Sequence, residues 1–384
     1  MFEELRARVG RRPRATPRQG DLAAERAVET EELRSRLAAA EQKLAETQAS
    51  VHHATAAHAP VPHFRRRLHD MGRDVRYLAR VDPEAAHPLL RIRRKLRNYQ
   101  LAASHGVPIP EVVAVWGELG SLDLRGMPER FVIKSDSGST GRGVLPLRRR
   151  DDGRFQMVGG EHVFSHEDVV QFFRDPSLGG PYFAEELLVQ PQGGELPDDI
   201  KFYMFYGEVG HVMLRRMPVH ADLRRSRVRL LDGDGADLGE DIVPNRRVDS
   251  TIEPPDCLAE YIEIARHLSR AVALPFVRVD VYETTHGPMF GELTRGPGGK
   301  QLFREDHDRH LARLWGQAQR RLDLDVIAGR PLDHLRGEHR APDLYPAGHA
   351  PPGVRPGEED PSPRMPCETW CLDDRGGHRP KKAG

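Results

Sequence analysis

The chain reads as an α+β protein with unpacked ends, and three observations predict it. Apolar runs of strand length come in pairs joined by short connections: Phe131–Lys134 with Val144–Leu147, Ile200–Tyr206 with Val209–Arg216, and Phe276–Tyr282 with Pro288–Leu293. Short connections join antiparallel neighbours, whereas parallel strands need a crossover of a dozen residues or more. Stretches of helical period separate the pairs. In residues 256–273, Leu258, Ile262, Ala265 and Leu268 form one apolar stripe. The two ends are dominated by Pro, Gly and charge, a composition that does not sustain a packed core.

Length and composition narrow the class. The 384 residues allow two or three compact units plus tails. Lys+Arg and Asp+Glu balance at 58 each, so no overall field favours nucleic acid or a membrane surface. Three cysteines do not make a disulfide framework and fit a reducing compartment. No apolar run approaches the roughly 20 residues of a membrane span, and the Arg- and Glu-rich start lacks the apolar centre of a signal peptide. A cytoplasmic location is the expectation.

In chain order, residues 1–20 are basic and broken by Pro and Gly. From Asp21 to Val51 good helix formers dominate, and Leu33, Leu37, Ala40, Leu44, Thr47 and Val51 recur in four- and three-residue steps, a heptad seam. That seam fits either a coiled-coil homodimer or a single solvated helix. Residues 52–63 read as a linker whose four histidines show no recurring ligand spacing. Residues 64–104 are basic and mostly helical, interrupted at Asp82-Pro83, with Arg91, Arg93, Arg94, Lys95 and Arg97 close together. The cluster fits a solvated face or a contact to an anion. Helix stop signals at Gly106 and Pro108 lead into the strand Val112–Trp116. Further helices are expected over Ser165–Arg174 and Asp306–Leu324, and disorder from about Pro331 onward. Asp232–Asp241 lacks the spacing of a calcium loop and reads as turns. Cys367, Cys371 and His378 lack an evident fourth zinc ligand.

The chemistry concentrates on Phe276–Arg295. Alternation puts Arg278, Asp280 and Tyr282 on one strand face, and antiparallel pairing brings Glu292 and Thr294 back beside the start of that strand. Asp280 and Glu292 then lie side by side. Two acids embedded in apolar runs repel each other unless a cation lies between them, and hard oxygen ligands suit Mg²⁺ with a phosphate completing its shell. A surface hairpin with solvated charges is the alternative. Upstream, Lys134 ends a strand and precedes a Gly/Ser/Thr loop, Ser135 to Gly143, which offers backbone N–H groups to an anion. No GK[ST] follows, so it is no Walker loop, and taken alone it fits an ordinary turn equally well. Tyr182–Gln190, carrying Glu185, Glu186, Leu187 and Leu188, fits a nucleotide hinge or a strand with solvated glutamates. Lys201, Arg215 and Arg216 add positive charge at the ends of the next hairpin.

The order of these features resembles the ATP-grasp superfamily, and DIKFYMFYGEV, FVRVDVYE and FGELT resemble its TupA-like branch, named for teichuronopeptide biosynthesis. The resemblance covers about Arg91 to Arg330. It implies two α+β lobes clamping ATP, with an N-terminal helical extension (1–63), a basic helical segment (64–128), the ATP-grasp domain (129–330) and a disordered tail (331–384). It further implies an ATP-dependent ligase that activates a carboxylate as an acyl phosphate for attack by an amine or similar nucleophile; a kinase acting on a hydroxyl and a nucleotide-binding scaffold are the alternatives. By position, Lys134 and Lys201 hold the ATP phosphates. Ser137, Gly138, Ser139, Thr140, Gly141 and Gly143 cover them as a flap, and Glu185–Leu188 hold the adenosine. Asp280 and Glu292 ligate Mg²⁺, while Arg278, Arg215 and Arg216 stabilise charge on the transferred group. Many members carry Asn two residues after the metal Glu; Thr294 stands there in this chain. The substrate is a small molecule, a peptide or a polysaccharide, with neither acyl donor nor acceptor specified.

Overall fold

The computed structural model of the protein describes residues 30–47, 62–138, 141–297, 301–351 and 353–367. The chain divides into two units, residues 1–61 and 62–384. In the first, residues 30–47 form helix α1, with Leu33, Leu37 and Leu44 exposed. Val51, which would extend that seam, lies outside the described residues, as do His52, His53 and His58 of the linker.

The second unit is built on two antiparallel sheets. The elements are α2 (Phe64–Val81), α3 (Pro88–Arg91), α4 (Lys95–Ser104), β1 (Val112–Trp116), β2 (Arg130–Ser135), β3 (Val144–Arg149), β4 (Phe155–Met157), β5 (Val163–Phe164) and α5 (His166–Phe172). They continue with β6 (Tyr182–Glu186), β7 (Asp199–Phe205), β8 (Glu208–Arg216), β9 (Arg227–Leu231), α6 (Leu258–Val272), β10 (Val277–Thr284), β11 (Gly287–Thr294) and α7 (Glu305–Ile327). The six-stranded sheet has the order β1-β6-β2-β3-β4-β5 and the five-stranded sheet β11-β10-β7-β8-β9.

Each expected hairpin forms: β2 with β3, β7 with β8, and β10 with β11. In the five-stranded sheet, alternation sends Val277, Val279 and Val281, with Ile200, Phe202 and Met204, into one apolar core with Ala265, Leu268 and Val272 of α6. The polar residues between them take the other face. The helices end where the local chemistry stops them. Ser165 caps α5 in a capping box with Asp168, and Gly106, at φ +75°, follows the end of α4. The first turn of α2 has no cap of its own; Asp308 on α7 supplies it, accepting from the N–H groups of Phe64 at 3.0 Å and Arg65 at 3.3 Å. His63 bonds the same carboxylate at 3.0 Å. Among the described residues, no helix is long and apolar enough to cross a membrane.

Two expectations need correction. The tail expected to be disordered from Pro331 is packed through Cys367: Leu335, His334 and Cys367 are buried, and the backbone of Arg336 bonds that of Pro363 and Met365. Residues 368–384 lie outside the described residues. The same segment corrects, for two members of the basic cluster, the reading as a solvated or anion-binding face; Arg93 is exposed, and it and Lys95 line the cavity between the two sheets. Arg91 and Arg97 are 4% and 3% exposed and face inward to Asp360, whose carboxylate lies 2.8 Å from Arg97 and 3.3 Å from Arg91. Asp333 pairs with Arg91 at 2.9 Å and Ser362 accepts from it at 2.8 Å. Composition concealed this because the ordering comes from a few acids that neutralise distant buried arginines, not from a run of apolar residues.

Removing one member of a buried ion cluster leaves its partners uncompensated, at a cost of about 3–5 kcal/mol. Asp360→Asn is therefore expected to lower the urea midpoint by a corresponding amount. An exposed control such as Glu358→Gln is expected to stay within about 0.5 kcal/mol of wild type.

Candidate functional site

The two sheets enclose a cavity of about 520 Å³. Its floor is the polar face of the five-stranded sheet, and register determines what lies there. Asp280 on β10 is directly opposite Glu292 on β11 and Lys201 on β7, and Lys201 is opposite Met213 on β8. One row across the sheet therefore reads acid, acid, lysine, methionine. The neighbouring rows hold Thr294, Arg278, Tyr203 and His211 on one side and Tyr282, Asp199 and Arg215 on the other. A bulge beside Asp280 leaves Gly291 as the extra residue, where a Cβ would lie 3.1 Å from the Asp280 carbonyl oxygen.

The floor is a buried charge lattice. Arg278 grips Asp280 in a fork, Nε to Oδ1 at 2.6 Å and a terminal nitrogen to Oδ2 at 2.7 Å, while Lys201 Nζ donates to Oδ2 at 2.6 Å. Lys201 also lies 3.2 Å from Asp199, which accepts from Arg215 Nε at 2.7 Å. Burial alone would raise the Asp280 pKa, but Arg278 and Lys201 reverse that and hold it below the usual carboxylate range. Asp199 is likewise held below the usual range: burial would raise it, and Arg215 and Lys201 reverse that. Burial, reinforced by Arg215, draws the Lys201 pKa below the usual lysine range. Glu292 differs: among the described residues it has neither an ion-pair nor a hydrogen-bond partner, and it lines the cavity. Thr294 lines it too, its hydroxyl donating to Gly296 O at 3.3 Å.

The other wall belongs to the six-stranded sheet. Lys134 pairs with Glu185 on the neighbouring strand and donates to the Tyr99 hydroxyl at 3.0 Å; that hydroxyl donates to Glu185 at 2.6 Å. Glu185, 2% exposed, is thus the counter-charge of Lys134. Glu186 accepts from the Glu111 N–H at 2.9 Å, and the chain leaves the sheet at Leu187 and Leu188, which line the cavity. Val132, Val144, Leu187 and Leu196 form an apolar patch there, facing a cavity that Met213 and Val228 line from the second sheet.

The Gly-rich loop joins β2 to β3 over the cavity. Ser137, Gly138 and Gly141 line it; Ser139 and Thr140 lie outside the described residues. A Cβ on Gly138 would meet the Arg142 carbonyl at 2.3 Å, so this turn accepts no side chain there. Gly143, at φ +72°, closes the hairpin by accepting from the Ser135 N–H at 2.8 Å but does not line the cavity. The Ser137 hydroxyl is committed to Gly179, accepting from its N–H at 2.6 Å.

A second expected site residue, after Gly143, also lies outside the cavity lining. Arg216, next to Arg215 on β8, points to the opposite face and pairs with Asp198 at 2.9 Å, outside the cavity. Other cavity residues were either named only within the basic cluster, as Lys95 was, or missed, as Asp199 and Arg246 were. Lys95 lines the cavity, 7% exposed, and donates to the carbonyls of Ser135, at 3.2 Å, and Gly138, tying α4 to the base of the loop. Asp199 was open to inference, because in Asp199-Ile200-Lys201 the two charges share a strand face. Arg246 lines the cavity, half-buried, and forms no ion pair among the described residues.

Paired antiparallel sheets clamping a cavity, a glycine loop over it and opposed lysines and acids inside define the ATP-grasp class of fold. Residues 176–315 match the model of the TupA-like ATPgrasp family, which bears out the resemblance read from the sequence over that segment. Among curated proteins, the chain is 24% identical over 230 residues to a "Probable alpha-L-glutamate ligase" of Xanthomonas euvesicatoria pv. vesicatoria (strain 85-10), covering 59% of this chain and 64% of that one. The protein of the same name from Xanthomonas campestris pv. campestris (strain B100) is 24% identical, with 59% and 65% covered. The chain therefore spans just under two thirds of the length of these relatives. Among solved structures it is similar to D-alanine--D-Alanine ligase from Bacillus anthracis (14% identity, 62% of this chain and 71% of that chain, TM-score 0.39). It is also similar to the ATP-grasp ligase PsnB complexed with minimal precursor (14% identity, 59% and 60%, TM-score 0.35).

Beside the site, His211 stacks on Tyr203 at 3.9 Å and bonds His307 at 3.0 Å. Burial, then the neighbouring His310, lowers His307 to about 4, and burial holds His211 well below the usual histidine range. An unfolded histidine titrates near about 6.5, so the unfolded state takes up this proton first as pH falls. The His307 contribution is fully present above about 6.5 and is lost as pH falls toward about 4. Between pH ~7.5 and pH ~4.5, wild type is expected to lose about 2–3 kcal/mol more unfolding free energy than His307→Gln, measured by urea titration at each pH. Parallel curves for the two proteins would contradict that assignment.

Proposed function

We propose that the protein is an ATP-dependent ligase that activates a carboxylate as an acyl phosphate and joins it to an amine. The observation that carries this reading is the cavity floor, where uncommitted Glu292 stands beside Asp280 and both lie alongside a cluster of buried cations. The relatives named as glutamate ligases support an amino acid as one partner. Arg246, half-buried at the cavity wall and outside any ion pair of the described residues, supports an acidic one.

The residues fit Mg²⁺ and ATP. A carboxylate offers about four lone-pair sites, and Asp280 commits one on Oδ1 and two on Oδ2. Oδ1 keeps a site, and both Glu292 oxygens are open, so Asp280 and Glu292 would hold the metal, with the Thr294 hydroxyl alongside. Bound there, Mg²⁺ supplies charge neutralisation to the phosphates. The apolar patch of Val132, Val144, Leu187 and Leu196 suits the flat face of a purine, and the strand exit at Leu187 and Leu188 offers main-chain groups to its edge.

In this reading Lys134 and Lys201 approach the phosphates from the two sheets, and Arg278 and Arg215 present fixed positive charge to the group in flight. Because each of these cations is already hydrogen-bonded to a buried acid, none needs to reorient as charge develops. The loop from Ser137 to Gly141 covers the phosphates through its backbone N–H groups and keeps water from the acyl phosphate. The amine then attacks the acyl carbon, forming the amide and releasing inorganic phosphate. A kinase would leave the phosphate on its product.

The test is a coupled ADP-release assay against pools of carboxylic acids and amines, with phosphate measured in parallel. ADP and phosphate are expected together, and only when both a carboxylate and an amine are present. ADP release with phosphate retained on the product would establish a kinase instead. Glu292→Gln is expected to lower turnover about a hundred-fold or more, as loss of several kcal/mol of charge stabilisation does. Its unfolding midpoint is expected to match wild type. Asp280→Asn is expected to lose turnover and also about 3–5 kcal/mol of stability, because it strips the counter-charge from buried Arg278 and Lys201. Full turnover in Glu292→Gln would overturn the metal assignment.

A further inference from the structure

Away from the cavity, three side chains of metal-binding type converge from three separate segments. His105 immediately follows α4, His267 lies on α6, and Cys367 comes from the packed C-terminal segment. One ligand atom of each lies within 4.8 Å of the other two. We propose that His105, His267 and Cys367 form a structural binding site for a zinc-type divalent cation, distinct from the cavity between the sheets.

The hydrogen bonds orient the ligands. The Leu335 carbonyl lies 2.7 Å from His105 Nε2 and can only accept, so that nitrogen carries the proton and Nδ1 presents a lone pair. That lone pair faces His267 Nε2 at 2.8 Å, which donates to it. A metal ion takes the place of the proton between the rings: His267 shifts its proton to Nδ1 and offers Nε2, and Cys367 releases its thiol proton to solvent. The Cys367 sulfur, 1% exposed and 3.4 Å from the His267 carbonyl, already lies on the same side. The carbonyl behind His105 is the kind of outer partner that fixes the tautomer of a metal-bound histidine. Tetrahedral zinc with bonds of about 2.0–2.3 Å places its ligands about 3.3–3.8 Å apart, so adjustments of about 1 Å bring these three into place and leave a fourth position on the ion. Two nitrogens and a thiolate favour zinc over magnesium or calcium. Such an ion would clamp the C-terminal segment onto α4 and α6.

The test uses untagged full-length protein, stripped by chelator and titrated with Co²⁺ and then Zn²⁺. One Co²⁺ per chain is expected, with a thiolate-to-cobalt charge-transfer band that Zn²⁺ displaces and a higher melting temperature for the loaded protein. Cys367→Ser and His267→Gln are each expected to weaken binding at least about ten-fold and, for Cys367→Ser, to abolish the band. Cys257→Ser, at an exposed cysteine, is expected to leave it intact. Folded wild-type protein without a thiolate band would overturn the proposal even if a variant failed to fold. So would a band that persists in Cys367→Ser but disappears in Cys371→Ser. None of these readouts depends on nucleotide or turnover, so the outcome is independent of the proposed ligase activity.

Discussion

Everything at the cavity floor depends on the fork between Arg278 and Asp280, two residues apart on one strand and both buried. A lone carboxylate at that depth would be driven to protonate, and a lone guanidinium would be costly to hold there. Together, and with Lys201 bonded to the same acid, they form a lattice in which every charge has a partner. Asp199 extends it to Arg215, and Tyr282 lies directly opposite Asp199 on the neighbouring strand. Glu292 stands at the end of this row with its charge uncommitted. With Glu292 the floor holds three acids and three cations, and Glu292 is the acid whose oxygens none of those cations occupies, so it can take a metal ion without breaking a pair.

The opposite wall repeats the device with different parts. Lys134 is held by Glu185 and Tyr99, both from buried positions, so its ammonium is positioned before any ligand arrives. Lys95 connects this wall to the covering loop by bonding the carbonyls at both ends of its first turn. The loop's second anchor is Asp136, which accepts from the Leu96 N–H at 2.8 Å and lies 3.3 Å from the Tyr345 hydroxyl. The base of the glycine loop is therefore held by α4 and by the C-terminal segment.

How much of this could be read from the chain alone depends on the range of the interaction. Hairpins were legible because alternation and turn residues are local, and the opposition of Asp280 and Glu292 follows from a short turn and antiparallel pairing. Arg215 and Arg216 were not separable, since an adjacent pair says nothing about which one faces inward until the strand's register is known. Arg91 and Arg97 read as surface charge because their neutralising acids lie far along the chain. Strand β9 escaped notice because its sequence, RVRLL, mixes charge into a short run. The packed residues 331–367 escaped for a related reason: Pro and Gly mark disorder only when nothing distant holds the chain in place.

The Arg97–Asp360 pair also bears on how the protein is made. Asp360 follows Arg97 by 263 residues, so during synthesis two guanidiniums destined for the interior emerge long before the acid that balances them. Until the segment carrying Asp360 leaves the ribosome, that carboxylate cannot neutralise Arg91 and Arg97. Completion of the lobe around the cavity thus waits on a carboxylate encoded far downstream of the helices it balances.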